Sequence, residues 1–213
     1  AVASRGWQDQ RERCPLHAHG PLIAAFSRSA LGVSRQGGGP GGIPGAAELG
    51  AASLGVLLFF LLLRISDEFK DIEDDRRFRA ARPVPRGLVT LRELAALALA
   101  GLAVQGVVAL WVHPPLLLLL AGAWLYLGGM TREFFVPAWL RAHPLAYLGS
   151  HMLIVPLIAL YASAFDWLAA GRRPSGAMAG FLLMCFWNGT VVEIGRKLRA
   201  PQDEEAGVDT YSA

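Results

Sequence analysis

The chain has 213 residues, of which 54% are hydrophobic and 17% are charged. A soluble domain averages roughly 45–50% apolar and about 25% charged residues, so this composition excludes an ordinary soluble enzyme and a disordered chain. It indicates a membrane protein. The 20 Lys and Arg against 17 Asp and Glu give a net charge of only +3. These charges form short blocks separated by long uncharged stretches, not one basic face, which argues against a nucleic-acid partner.

The uncharged stretches predict the membrane spans, because a helix needs roughly 20 apolar residues to cross the hydrocarbon core. The longest stretch, 94–131, has 38 residues and predicts two spans. Their turn is expected at His113-Pro114-Pro115, since Pro cannot continue a helix. The predicted fold class is all-α, a multi-pass transmembrane bundle with six helices, the first on the weakest apolar run. The predicted helices cover residues 14–33, 49–65, 90–112, 114–130, 144–165 and 175–194.

The distribution of Lys and Arg predicts the orientation of this bundle. If the amino terminus is cytoplasmic, 16 of the 20 basic residues fall on the cytoplasmic side. Cytoplasmic loops of membrane proteins are enriched in these residues. We therefore expect a multi-pass protein of the inner cell membrane with a cytoplasmic amino terminus, in contact with membrane lipid.

An acidic block follows the second predicted helix, with six of the 17 acidic residues between positions 67 and 75. On a helix that turns by about 100° per residue, Asp67, Glu68, Asp71 and Asp75 share an arc of roughly 100°. Four like charges on one face repel unless something neutralises them. Mg²⁺ suits such ligands, since it takes one or two carboxylates together with waters and substrate phosphates. The block therefore predicts a magnesium site.

Arginines follow the acidic block directly. Five of them lie between positions 76 and 86, beside Pro83-Val84-Pro85. Guanidinium groups bind phosphate oxygens in a bidentate manner, so Arg82 and Arg86 are candidates for a phosphate site facing the metal. The alternative is a solvated juxtamembrane loop whose acids and bases pair with each other, with its basic part on anionic lipid.

The order of these residues resembles the first aspartate-rich motif of the UbiA family of intramembrane prenyltransferases. That motif is Asn-Asp-x-x-Asp-x-x-x-Asp after the second helix, followed by Arg-Pro-(apolar)-Pro-x-Gly. Here the run is Asp67-Glu68-x-x-Asp71-x-x-x-Asp75, followed by Arg82-Pro83-Val84-Pro85-Arg86-Gly87. Asp67 stands in place of Asn and Glu68 in place of Asp, and both keep an oxygen ligand.

A second polar block follows the sixth predicted helix. Its run Asp203-Glu204-Glu205-x-Gly207-Val208-x-Thr210 is similar to the end of the family's second motif, whereas Arg196 and Lys197 lie where further aspartates are common. Two arrangements remain open under the resemblance. Either Glu193 and Asp203 bind a second Mg²⁺, or Arg196 and Lys197 hold the diphosphate directly. A third possibility is a charged helix end that only terminates the span.

The resemblance implies a function for the whole chain. Family members transfer a polyprenyl group from a polyprenyl diphosphate to an aromatic or lipid-like acceptor with Mg²⁺, and they have about nine helices. Residues 1–213 would then form a single domain that stops before helices seven to nine. The implied metal ligands are Asp67, Glu68, Asp71, Asp75, Glu193 and Asp203, with the first four as the catalytic set. The implied diphosphate-binding residues are Arg82, Arg86, Arg132, Arg196 and Lys197.

Two alternatives accompany this expectation. Arg132 is explained equally well as an anchor on the positive side of the membrane. The rival function is a transporter or scaffold that keeps the fold and the metal-binding loop without transferase chemistry. Its motivation is the second block, where Arg196 and Lys197 replace expected acids.

Overall fold

The computed structural model of the chain describes residues 16–36 and 42–200, together with positions 202 and 210. Every regular element in this part of the chain is helical, which confirms the all-α fold class. A single 3₁₀ turn, Glu133–Phe135, separates α5 from α6. The α-helices are α1 (Leu16–Gln36), α2 (Ala46–Lys70), α3 (Ile72–Phe78), α4 (Leu91–Val112), α5 (Leu116–Thr131), α6 (Pro137–Ala142), α7 (Pro144–Met152), α8 (Ile154–Trp167) and α9 (Gly176–Lys197).

Each of the six predicted helices has a counterpart in the structure, with two differences in extent. The sequence predicts an end at residue 65 for the second helix, whereas α2 continues to Lys70. The first charges after an apolar run mark where the membrane ends, and the helix itself can continue beyond that boundary. The fifth predicted helix is divided into α7 and α8, which meet at Leu153.

Four helical segments of the described residues are long and apolar enough to cross a membrane. They are α2, α4, α7 together with α8, and α9. Helix α5 is apolar but has 16 residues, or about 24 Å at 1.5 Å per residue, which is short of the roughly 30 Å hydrocarbon core. Helix α1 forms as predicted but is not among the candidate spans. The structure therefore supports a membrane protein with four of the six predicted spans.

Helix α8 is the centre of the bundle. It contacts α1, α2, α5 and α9, and its side chains Ile158, Tyr161 and Phe165 are buried among them. The outer faces of the surrounding helices expose large apolar side chains, such as Trp111 on α4 and Leu125 on α5. Apolar surface of this extent would be unfavourable in water and is typical of a face in contact with lipid.

Polar contacts fix the helices against each other inside this apolar bundle. The buried Gln105 of α4 donates from Nε2 to the Gly55 carbonyl of α2 at 2.9 Å and accepts from Nε1 of Trp124 of α5 at 2.9 Å. A buried amide without partners would cost several kcal/mol, so this bridge selects one register. At the end of α8, Asp166 accepts from Ser34 at 2.6 Å and from Arg172 at 2.5 Å.

Replacing Gly55 by Ala is expected to destabilise the bundle by about 1–3 kcal/mol. An added Cβ would lie 2.9 Å from Cε1 and 3.3 Å from the hydroxyl oxygen of Tyr161, whose ring is fully buried and cannot move aside. The matched control is Gly50→Ala in the same helix, where no heavy atom lies within 4 Å of the added Cβ. Thermal unfolding in detergent gives the midpoint temperature of each variant. Equal midpoints for the two would contradict the close approach of α2 to α8.

Candidate functional site

The first polar block and the described part of the second, from Glu193 to Lys197, lie at the same end of the bundle. At this end α2, α5 and α9 finish and α4 and α7 begin; we call it the acidic end. The chain therefore leaves α2, α5 and α9 on one face of the bundle.

A lysine and a tyrosine join the helices at the acidic end. Lys70, the last residue of α2, donates from Nζ to the Tyr147 hydroxyl of α7 at 2.5 Å and forms an ion pair with Glu133 at 2.9 Å. Nζ of Lys197 of α9 lies 5.5 Å from the centre of the same Tyr147 ring. The charges of Asp67 on α2 and Arg196 on α9 also attract each other. The first and second polar blocks therefore meet around Tyr147.

The first acidic block does not lie on one continuous helix. Helix α2 ends at Lys70 and α3 begins at Ile72, with Asp71 between them at φ −95° and ψ 7°. Backbone bonds continue through this bend, since the amide of Asp71 donates to the Asp67 carbonyl at 2.9 Å. The amide of Asp75 likewise donates to the Asp71 carbonyl at 2.8 Å, so helical hydrogen bonding continues through the block while the backbone angles depart from helical values at Asp71.

Arginines neutralise three of the four predicted carboxylates. Arg64 pairs with Glu68 at 2.6 Å and with Asp67 at 3.3 Å. The Asp75 side chain, only 2% exposed, accepts from Arg79 at 3.0 Å and from Arg82 at 2.7 and 2.5 Å. Asp67, Glu68 and Asp75 therefore match the alternative interpretation, in which the acids of the block pair with neighbouring bases.

The predicted cluster of four metal ligands is therefore not assembled in the structure. Among residues 16–36 and 42–200, no group of three or more His, Cys, Asp and Glu side chains is placed to hold a metal ion. The physical reason is competition, because each of these acids lies within two helical turns of an arginine.

Asp71 is the exception in this block. No described residue forms a hydrogen bond or an ion pair with its half-buried carboxylate. Burial raises the pKa of Asp71, and the neighbouring Asp75 charge raises it further, while Lys70 opposes both effects. Asp67 is half exposed, and among the described residues its carboxylate is bound only by Arg64 at 3.3 Å; the charges of Asp67 and Asp71 repel each other. These two carboxylates fit Mg²⁺, which takes one or two carboxylates and completes its shell with water and phosphate.

Cations of the same helix hold the acid of the second block. Glu193 accepts from Nε and Nη2 of Arg196 at 2.5 and 3.0 Å and lies 3.4 Å from Nζ of Lys197. The other predicted ligand, Asp203, lies outside the described residues. This pairing within one helix is also what the third possibility, a charged helix end, would give. Arg196 is two-thirds exposed.

The Arg-Pro-Val-Pro-Arg-Gly run forms a compact turn. The amide of Gly87 donates to the Val84 carbonyl at 3.0 Å. Gly87 has φ +76°, a left-handed conformation that side chains rarely adopt, which explains the glycine at this position. Within the turn, Asp75 holds the Arg82 guanidinium, and Arg86 donates to the Ala81 carbonyl at 3.1 Å. The turn therefore fixes Arg82 against the acidic block and Arg86 against the backbone of the turn itself.

The remaining predicted residue, Arg132, follows α5 and is exposed, and no described residue forms an ion pair with its guanidinium. Sequence reasoning missed Lys70 and Glu133 as site residues. Signals for both were present in the pattern, since Lys70 is the only cation within the acidic block and Glu133 is the only acid between positions 94 and 165. A lone opposite charge in each segment indicates an ion pair between them.

Neither a family model, nor a curated protein, nor a solved structure matches the chain. The resemblance to the UbiA family therefore stays a prediction from the motifs.

Proposed function

We propose that the chain is an integral membrane prenyltransferase of the UbiA type. It would transfer a polyprenyl group from a polyprenyl diphosphate to an aromatic or lipid-like acceptor. One observation carries the proposal: the two polar blocks, distant in sequence, meet at one end of an apolar bundle around Tyr147. A substrate with a diphosphate and a long apolar chain requires this combination of a charged end and an apolar interior.

The acidic end offers two kinds of groups to a diphosphate. Asp67 and Asp71 are the carboxylates that would hold Mg²⁺, which when bound would neutralise charge on the phosphate oxygens. Glu68 and Asp75 act as positioning residues, because each holds an arginine through short contacts. The cations proposed to contact the diphosphate are Arg82, Arg86, Arg132, Arg196 and Lys197.

The proposed reaction breaks the allylic carbon–oxygen bond of the substrate, and the electron pair leaves with the diphosphate. Cations already in place at the acidic end stabilise that developing negative charge without reorganisation. The allylic cation left behind then forms a bond with a carbon of the acceptor, which loses a proton. Water would capture this cation, and the apolar side chains of the bundle exclude water from the prenyl chain. The acidic end would face the cytoplasm of an inner membrane.

An assay of native membranes containing the full-length protein tests this proposal. Membranes are supplied with radiolabelled polyprenyl diphosphates of several lengths and with a lipid extract as the source of acceptor. We expect labelled, lipid-soluble product and released diphosphate with Mg²⁺, and neither with a chelator. Labelled substrate that stays unchanged with Mg²⁺, in membranes where the protein is folded, would contradict the assignment.

The rival function, a transporter or scaffold, has an observation of its own. Arginines already neutralise Asp75 and Glu193 within the chain, so the fold does not require a metal at either residue. Proteoliposomes distinguish the two functions. Metal-dependent ion flux without any prenyl product would support the rival, whereas prenyl transfer without flux would support the transferase.

A further inference from the structure

The connection between α5 and α7 exposes large apolar side chains at the acidic end. We define the connecting segment as residues 132–145, which comprise the 3₁₀ turn, α6 and the first two residues of α7. Phe135 is 79% exposed, Leu145 is 84% exposed and Trp139 is 52% exposed. Phe135 and Trp139 lie between α5 and α7, and Leu145 lies in the first turn of α7, where the candidate span Pro144–Trp167 begins. An apolar surface of this kind marks a contact with another phase or molecule.

The backbone holds this segment in a defined arrangement. Glu133, Phe134 and Phe135 have φ of 48°, 51° and 63°, in a region that costs a residue with a side chain about 1–2 kcal/mol. Inward contacts offset this cost. The Phe134 ring packs edge-on against Tyr126 at 5.3 Å between ring centres, and Glu133 pairs with Lys70. With Phe134 and Glu133 held inside, the next residue, Phe135, is directed outwards.

The exposed side of the connecting segment is also positively charged. Arg132 and Arg141 are exposed, and neither forms an ion pair with any described residue. Glu133 is the only acid of the segment and is already neutralised by Lys70. The Trp139 ring stacks on His143 with 4.4 Å between ring centres, and Arg141 belongs to the same helix, α6. A partner must therefore accept apolar rings and supply negative charge next to them.

We propose that the connecting segment lies in the headgroup layer of the membrane and binds anionic phospholipid. Phe135, Trp139 and Leu145 would enter the boundary of the acyl chains, while Arg141 contacts the phosphate oxygens. Trp and Arg at a helix boundary are typical of this layer, and anionic lipid attracts each basic residue near its surface by about 1 kcal/mol. The segment leads into α7, where the candidate span Pro144–Trp167 begins, so it lies at the depth this role requires. The proposal depends on membrane insertion and not on prenyl transfer.

Lipid selectivity of the purified, reconstituted chain tests the charge requirement. Spin-labelled phosphatidylglycerol and phosphatidylcholine are compared for the fraction immobilised on the protein. Arg141→Gln is expected to lower the preference for phosphatidylglycerol by up to about fivefold, the equivalent of 1 kcal/mol. The matched control is Arg173→Gln, because Arg173 is also exposed and lies beyond α8 at the opposite end of the bundle. Equal losses for the two variants, or no loss for Arg141→Gln, would overturn the proposal.

The depth of Phe135 provides a second, independent measurement. Cys14 and Cys185 are replaced by Ser, and a spin label is attached to Phe135→Cys in vesicles that contain phosphatidylglycerol. We expect collisions with oxygen, which is concentrated in lipid, to exceed those with a water-soluble quencher. A label exposed to water in vesicles and protected only by a second protein would identify a protein-docking surface and contradict the lipid contact. Failure of the transferase assay leaves both measurements unaffected.

Discussion

Replacing Asp71 by Asn is expected to lower the rate of Mg²⁺-dependent prenyl transfer by about 100-fold. The amide keeps the size of the side chain but removes the one half-buried carboxylate of the acidic block that no described residue neutralises. Metal-assisted neutralisation of a leaving group contributes several kcal/mol, and each 1.36 kcal/mol corresponds to a factor of ten in rate. Initial rates with labelled polyprenyl diphosphate, measured across a range of Mg²⁺ concentrations, provide the test.

The matched control for this variant is Asp74→Asn. Asp74 lies three residues further along, is exposed, and loses the same charge. We expect its transfer rate to stay close to that of the unchanged protein. If Asp71→Asn and Asp74→Asn lower the rate equally, the effect comes from net charge at the acidic end, and the assignment of Asp71 as a metal ligand fails.

The stability of Asp71→Asn separates this functional loss from unfolding. Because the pKa of Asp71 in the folded protein lies above its ordinary value of 3.8, folding favours the protonated form. Its ionisation therefore destabilises the fold as pH rises from 3.8 through the raised value. At neutral pH with a chelator, the Asn variant is expected to unfold at the same temperature as the unchanged protein or higher. This difference should disappear as pH falls towards 3.8.

The sequence predicts the helices well for a physical reason. Membrane spans exclude charge, so the uncharged stretches place α2, α4 and α9 within a few residues of their bounds. The turn at Gly87 is equally local, since its prolines and glycine determine their own backbone angles. Helix α1 shows the limit of this approach, because its apolar run is too weak to identify a span and it packs on α8 instead.

Pair formation at the acidic end could not be predicted in the same way. Asp75 has Arg76, Arg77, Arg79 and Arg82 within two turns. Helical i,i+4 spacing accounts for Arg79, whereas the contact with Arg82 depends on the path of the chain after α3 ends at Phe78. The contact of Lys70 with Glu133 and Tyr147 joins residues far apart in sequence, so it requires the packing of the bundle. Spacing along the chain identifies which charged residues could pair, while the packing of the helices determines which of them do.

Replacing Asp75 by Asn is expected to destabilise the protein by about 3 kcal/mol. The carboxylate is buried between Arg79 and Arg82, and the amide would leave both guanidinium groups without their counter-ion. Removing one partner of a buried ion pair costs roughly 3–5 kcal/mol, and the lower value applies because the arginines are 21% and 27% exposed. Thermal or denaturant unfolding in detergent measures the change.

Glu73→Gln is the control that separates burial from charge. Glu73 pairs with Arg76 at 3.5 Å, but its side chain is 84% exposed. Glu73→Gln should therefore lower the free energy of unfolding by no more than about 0.5 kcal/mol. The double variant Asp75→Asn with Arg82→Gln should lose less stability than the sum of the two single variants, because it removes both partners of one contact. If Asp75 were instead a metal ligand, Asp75→Asn would weaken Mg²⁺ binding and leave unfolding in a chelator unchanged. That result would contradict a positioning role for Asp75 and restore the interpretation in which it binds the metal.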